Sequence, residues 1–289
     1  MEPSALPIAL LGQGWRKDLA LVISSARRSV ILAAPFVKQD IAAWVRNQVP
    51  PDVELTMLAN IRADAVASGA LDISALLYIA RNIQRARILA LPNLHAKVFV
   101  ADDTAAIITS GNLTASGLDR NLEYGVLLRE RSLVVTVRRH MRSYARLGSA
   151  LDAMTLADLL PLEADLRNAH AQSRNAVLPE ARKRLADVVR QAKPRLAGVQ
   201  VGNRSANAVF GEAIRLVLAD GPRSTTELGS AVRELLPDLC DDTEELVING
   251  EGYGKAWKHR LRNAQQHLKR QGVVTYDSKL KLWALSRET

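Results

Sequence analysis

The chain has 289 residues, 48% of them apolar, with 39 Lys plus Arg against 30 Asp plus Glu and a net charge of +9. This is a folded composition, long enough for two domains; the single Cys240 excludes a disulfide framework and a cysteine-based zinc site. With no window of 18 apolar residues and no basic stretch ahead of the first apolar run, neither a membrane span nor a signal peptide is expected. The expectation is a cytoplasmic protein without a membrane partner, whose basic balance suits a polyanion.

Residues 1–150 alternate strands and helices. A helix is expected at Arg16–Arg27, a strand at Ser29–Val37, a helix at Gln39–Gln48 and a strand at Val53–Asn60. A helix at Leu71–Gln84 and a strand at Arg87–Leu91 follow. Leu94–Val100 and Ala105–Ser110 pair as a hairpin around Asp102-Asp103, and a strand at Glu123–Leu128 precedes a helix at Leu133–Leu147. The strands are apolar on both sides, which implies an α/β fold with a mixed sheet covered by helices on both faces.

Charge is uneven beyond that point. Residues 1–164 carry 18 basic and 15 acidic side chains, 165–204 carry 9 and 3, and 205–289 carry 12 of each. The segment 151–204 reads as a basic helical connector, with a helix at Glu180–Ala192 that breaks at Pro194 and Gly198. It suits either a solvated linker or a phosphate-contacting arm.

Residues 205–289 form a third pattern. A helix is expected at Asn207–Ala219, and Ser224 through Glu227 is a capping-box sequence opening a second helix. An acidic loop then leads to a third helix, Lys255–Gln271, with Trp257, Leu261, Ala264 and Leu268 inward. Its remaining faces carry Lys255, Lys258, Arg260, Arg262, Lys269 and Arg270 and no acid. Two short strands, 273–276 and 279–285, close the chain. Three helices and a hairpin are the layout of a winged helix, whose third helix is its groove-reading element. The bland alternative is a small helical domain with a wet basic face.

The chemistry gathers near residue 95. In a strand, His95 and Lys97 leave the same face. Two such cations repel when both are charged, which favours a neutral, nucleophilic imidazole and prepares the site for an anion. Ser110 and Asn112 repeat the i, i+2 spacing, with Gly111 leaving room between them. A hydroxyl and an amide beside an imidazole and an ammonium make a cradle for phosphate oxygens. Alone, each residue is better read as a core histidine, an edge lysine or a turn residue. The set at this spacing is what points to function, since a lone His-x-Lys arises by chance about 0.2 times in such a chain.

The pattern His95-x-Lys97-x4-Asp102-x6-Thr109-Ser110-x-Asn112 resembles the HKD motif of the phospholipase D superfamily, with Thr109 where that family has glycine. The resemblance covers roughly residues 8–150. It implies a phospholipase D-like mixed sheet and a phosphodiesterase that forms a phosphohistidine on His95 without metal or other cofactor. It further implies that Lys97, Ser110 and Asn112 hold phosphate oxygens, that Glu123 orients an imidazole, and that Asp102 is more structural than catalytic. Such chemistry takes two histidines. His140, His170, His259 and His267 lack the His-x-Lys spacing, so a homodimer pairing two His95 residues is expected.

Together these features give three expected regions: a catalytic domain at 1–150, a connector at 151–204 and a DNA-binding domain at 205–289. The function expected is a DNA-cutting nuclease of bacterial restriction or defence, with RNA left open as a partner. The alternatives are a phospholipase D-type lipid hydrolase and a non-catalytic DNA-binding regulator with a relic site.

Overall fold

The computed structural model describes residues 6–91, 93–175, 179–202, 204–248 and 251–286. The chain divides into two compact units, residues 1–200 and 201–289.

The first unit opens with β1 (Ile8–Leu11), α1 (Arg16–Ser24), β2 (Ser29–Ala33), α2 (Gln39–Gln48), β3 (Glu54–Ala59), α3 (Ala63–Ala67), α4 (Ile73–Asn82) and β4 (Ala86–Ala90). The β5 (Val98–Ala101) and β6 (Ala105–Thr109) hairpin is followed by a π-helical turn at Ser116–Arg120, then β7 (Gly125–Leu128) and α5 (Arg131–Leu147). β8 (Ser149–Leu151), α6 (Ala153–Asp158), α7 (Leu160–Asn175) and α8 (Pro179–Val201) complete it. One eight-stranded sheet runs in the order β1-β7-β6-β5-β2-β3-β4-β8. It is mixed: β2, β3 and β4 are parallel neighbours, and every other pairing is antiparallel. Leu32, Leu55, Met57, Phe99 and Ile107 are sealed in its core, with Ile41 and Val45 of α2 and Leu76 and Ile79 of α4. The ring of Trp15 stacks on Phe99 at 5.4 Å.

Residues 151–200 are built into this unit. β8 pairs with β4 and covers that sheet edge. Glu163 of α7 is buried and accepts from the Ile73 and Ser74 amides, which have no partner inside α4. Arg167 Nη2 lies 2.5 Å from Asp72, a carboxylate that also takes Lys38 Nζ at 2.6 Å. Helix α8 does not break at Pro194 or Gly198. The proline costs one backbone hydrogen bond, but the flanking Ala192 and Leu196 are buried in the main core, so packing outweighs local propensity.

The second unit contains α9 (Ala206–Ala219), β9 (Arg223–Ser224), α10 (Thr225–Leu235), β10 (Glu245–Ile248), β11 (Glu251–Lys255), α11 (Ala256–Arg270), β12 (Val274–Asp277) and β13 (Leu282–Leu285). α9 packs against both α10 and α11. β13 lies between β12 and β9 in a small antiparallel sheet. The Ser224–Glu227 capping box forms as the sequence predicts. The segment expected as an acidic loop instead folds partly into the β10–β11 hairpin. Among the described residues, no helix is long and apolar enough to cross a membrane.

Candidate active site

His95 and Lys97 sit just ahead of a strand rather than within one. The strand expected over 94–100 starts at Val98, and residues 94–97 are an irregular lead-in. The ladder continues one bond further, because the Thr109 amide donates to Lys97 O at 3.1 Å. The two side chains still share a side. Lys97 Nζ lies 3.1 Å from His95 Nε2 and donates to His95 O at 2.8 Å. An ammonium only donates, so in this contact His95 Nε2 takes the accepting role. His95 is exposed, whereas Lys97 is 8% exposed. Burial pulls the Lys97 ammonium below the usual lysine range, and the nearby Glu123 carboxylate offsets part of that.

The second half of the motif turns off the end of β6. The Ser110 amide donates to Tyr124 O at 3.0 Å, and Ser110 Oγ accepts from the Tyr124 amide at 3.1 Å. The Ser110 hydroxyl donates to Glu123 Oε2 in a short contact, and Asn121 Nδ2 donates to the other Glu123 oxygen at 3.1 Å. Asn112 Oδ1 is buried and accepts no hydrogen bond. Gly111 is required for packing. A Cβ there would stand 2.7 Å from Gly117 O and 2.9 Å from the Trp15 ring, whose Nε1 donates to that same carbonyl. Thr109 fits because Gly125 is its partner in the β6–β7 ladder, where a Cβ would lie 2.7 Å from Thr109 Cβ. The small residue of this pair is on the other strand.

Asp102 lies at the far end of β5 from His95. It is buried at φ 48° and accepts from the Arg27, Arg28 and Ser29 amides at 2.7, 3.1 and 2.8 Å. Burial alone would raise its pKa, but these three donors hold the carboxyl below its ordinary value. It ties the α1–β2 loop to the β5–β6 turn.

Two cavities flank the motif and share Phe36. The larger, about 680 Å³, reaches His95 and is lined also by Asn60, Arg62, Leu94 and His170. The smaller, about 350 Å³, reaches Asn112, Lys38 and Arg120. Sequence reasoning missed Phe36, Asn60, Arg62, His170 and Arg120, which come from separate loops and helices with no common spacing.

Of the six basic residues expected on the third helix, Lys255 ends β11 and the other five lie on α11; they divide into two groups. Lys255 Nζ is 3.4 Å from Glu245, and Arg260 Nη2 is 3.1 Å from Glu244, both acids from the start of the β10–β11 hairpin. Lys258, Arg262, Lys269 and Arg270 are exposed. Lys258 and Lys269 lie over the rings of Trp257 and Tyr276 at 5.7 and 5.8 Å.

The mixed sheet and the sequence motif define a phospholipase D-like α/β domain. Residues 19–145 match the family model described as Cardiolipin synthase, PLD-like domain. The chain is similar to the solved structure of Nuc, a phospholipase D family member from Salmonella typhimurium. Identity is 20% over 50% of this chain and 99% of that one, with a TM-score of 0.43. NucT from Helicobacter pylori is similar at 14% identity over 50% and 98% of the two chains, also with a TM-score of 0.43. Phosphatidylserine synthase from Haemophilus influenzae Rd KW20 is similar at 14% identity over 69% and 49%, with a TM-score of 0.45. No curated protein sequence matches the chain.

Proposed function

We propose that this phospholipase D-like protein is a metal-independent nuclease that cuts DNA through a phosphohistidine on His95. The contact that carries the reading is Lys97 Nζ to His95 Nε2, which holds a buried cation against the lone pair of an exposed imidazole; that lone pair is freed for attack when Lys97 turns to the bound phosphate. In the first step the His95 Nε2–P bond forms as the P–O bond breaks, and the leaving oxygen takes a proton from a second imidazole. In the second step that imidazole takes a proton from water, the water oxygen attacks phosphorus, and the P–N bond breaks. Lys97 and the Asn112 amide stabilise the charge on the non-bridging oxygens. The Ser110 proton is committed to Glu123, so Ser110 is assigned to positioning that carboxylate.

The second imidazole is assigned to His95 of a second copy. Leu10 on β1 and Ile108 on β6 flank Val126 in one cross-strand row, and both are exposed. Tyr124, two residues before Val126 along the chain, is 65% exposed and hydrogen-bonded to Ser110, and Leu122 is 91% exposed. Exposed apolar side chains on the strands and loop that lead to a half-complete site suit a twofold partner.

We read residues 205–289 as a winged helix that places the exposed cations of α11 on DNA. A cutting unit joined to a reading unit fits bacterial restriction or defence. The test is plasmid cleavage in excess EDTA beside His95→Ala, with analytical ultracentrifugation of the active protein. The reading expects chelator-resistant cutting by a dimer and none by the variant. Cutting abolished by EDTA, or full activity in a monomer, would overturn the respective part. Hydrolysis of phosphatidylcholine but not DNA would select a lipid hydrolase, and a DNA shift without cleavage would select a regulator.

A further inference from the structure

We propose that the larger cavity beside His95 receives one unpaired base of the strand being cut, so that scission falls in single-stranded or locally opened DNA. The inference rests on the nuclease reading and adds its substrate class.

The cavity, about 680 Å³, lies within the ~300–1,000 Å³ range of sites that enclose a small molecule. It holds His95 in its wall, so whatever occupies it is adjacent to the reacting phosphorus. Its apolar surface comes from Phe36 and, on α8, from Leu185 and Val189, which are four residues apart and therefore on one helix face. A heterocycle offers flat apolar faces to such walls and a polar edge besides.

The polar edge has a match. Asn60 Oδ1 is buried and accepts no hydrogen bond, while Asn60 Nδ2 donates to Leu94 O at 3.2 Å, one residue from His95. That oxygen lies beneath the wall and not on it, so the donors offered to the carbonyl or ring-nitrogen acceptors of a base are those of Arg62. Arg62, held by Asp64 at 3.1 Å and Asn93 at 3.3 Å, adds a cation to the same wall.

A paired base cannot supply this contact. In a duplex its faces are stacked and its Watson–Crick edge is occupied, so entry requires extrusion, whereas an unpaired base enters without that cost. Phe36 also lines the second cavity, which contains Asn112 and Arg120. The strand is thus assigned a path from the base cavity, past His95, towards Arg120. Diacyl lipid is disfavoured, because Asn60, Arg62, Asp64 and His170 interrupt the apolar wall that two acyl chains would require.

The test uses the full chain and an end-labelled duplex with a short central unpaired stretch, incubated in chelator. Scissions are expected in the unpaired stretch at a rate at least about tenfold above the paired arms. Leu185→Trp and Val189→Trp, each placing a ring in the cavity, are expected to lower cutting of the unpaired stretch by about tenfold while thermal melts stay close to wild type. Equal cutting in paired and unpaired DNA would overturn this inference and leave the nuclease reading standing. Release of lipid headgroup from phosphatidylglycerol vesicles with no DNA cut would overturn both. The wild-type cleavage map decides the matter even if neither tryptophan variant folds.

Discussion

The two units hold their cations in opposite ways. In the first, Lys97 is buried, directed at one imidazole and deprived of water. In the second, four of the six candidate DNA contacts, all on α11, stand in solvent, and the other two, Arg260 of α11 and Lys255 of β11, are paired with Glu244 and Glu245. A desolvated cation acts strongly at short range on one anion, and solvent cannot readily replace it. An exposed row acts through screened fields and counterion release, so its effect is spread over many contacts and falls with salt. On the proposed reading, one unit sets rate and the other sets affinity.

The largest expected effect tests the first side of that contrast. Lys97→Ala is expected to lower the cleavage rate by about 10²–10³-fold, the usual loss for one charge-stabilising donor, while DNA affinity changes little. Single-turnover rates and equilibrium binding, measured on the same protein, separate the two. Comparable losses in both would break the comparison.

The next concerns the scaffold that carries Lys97. Asp102→Ala removes a buried acceptor of three amide donors at the other end of β5. It is expected to lower stability by about 2–4 kcal/mol at neutral pH. The native pKa is depressed, so Asp102 stabilises the fold above its unfolded value, near 3.9, and that stabilisation disappears as pH falls through the lower native value. Urea melts of both proteins should therefore differ at pH 7 and converge in strong acid.

A smaller change is expected on α11. Arg262→Ala with Arg270→Ala should weaken DNA binding by about tenfold and reduce the salt slope by about 2. Lys255→Ala with Arg260→Ala should do less, because those cations are already paired. Equal slopes for the two double variants would remove the distinction. The smallest effect sharpens the contrast between that unit's surface and its interior. Burial pushes the Cys240 thiol up to about 12, so alkylation at pH 8 should be slow in the native protein and fast once it is unfolded.

Most of the first unit's strands and helices were legible because their apolar runs have clear lengths and boundaries; α2 matches its expected residues at both ends. The motif was legible because its spacing follows the strand period even where hydrogen bonding stops short of residue 95. The rest depended on distant partners. Helix α8 survives its proline through burial of Ala192 and Leu196, and Glu163 reaches the amides of α4 across 90 residues. The β10–β11 hairpin was hidden by its acids: Glu245 pairs with Lys255 of β11, and Glu244, just ahead of β10, pairs with Arg260 of α11. The cavity beside His95 is assembled from loops and helices that no single stretch of sequence reveals.

The central claim is the covalent bond to His95. Protein mixed with phosphate-labelled DNA, quenched during turnover and digested, should yield label on the peptide containing His95 that is stable in alkali and released in acid. Label on that peptide from the wild type, and none from His95→Ala, is the predicted result. Cleavage at full rate with no protein-bound phosphate at any time point would contradict the account.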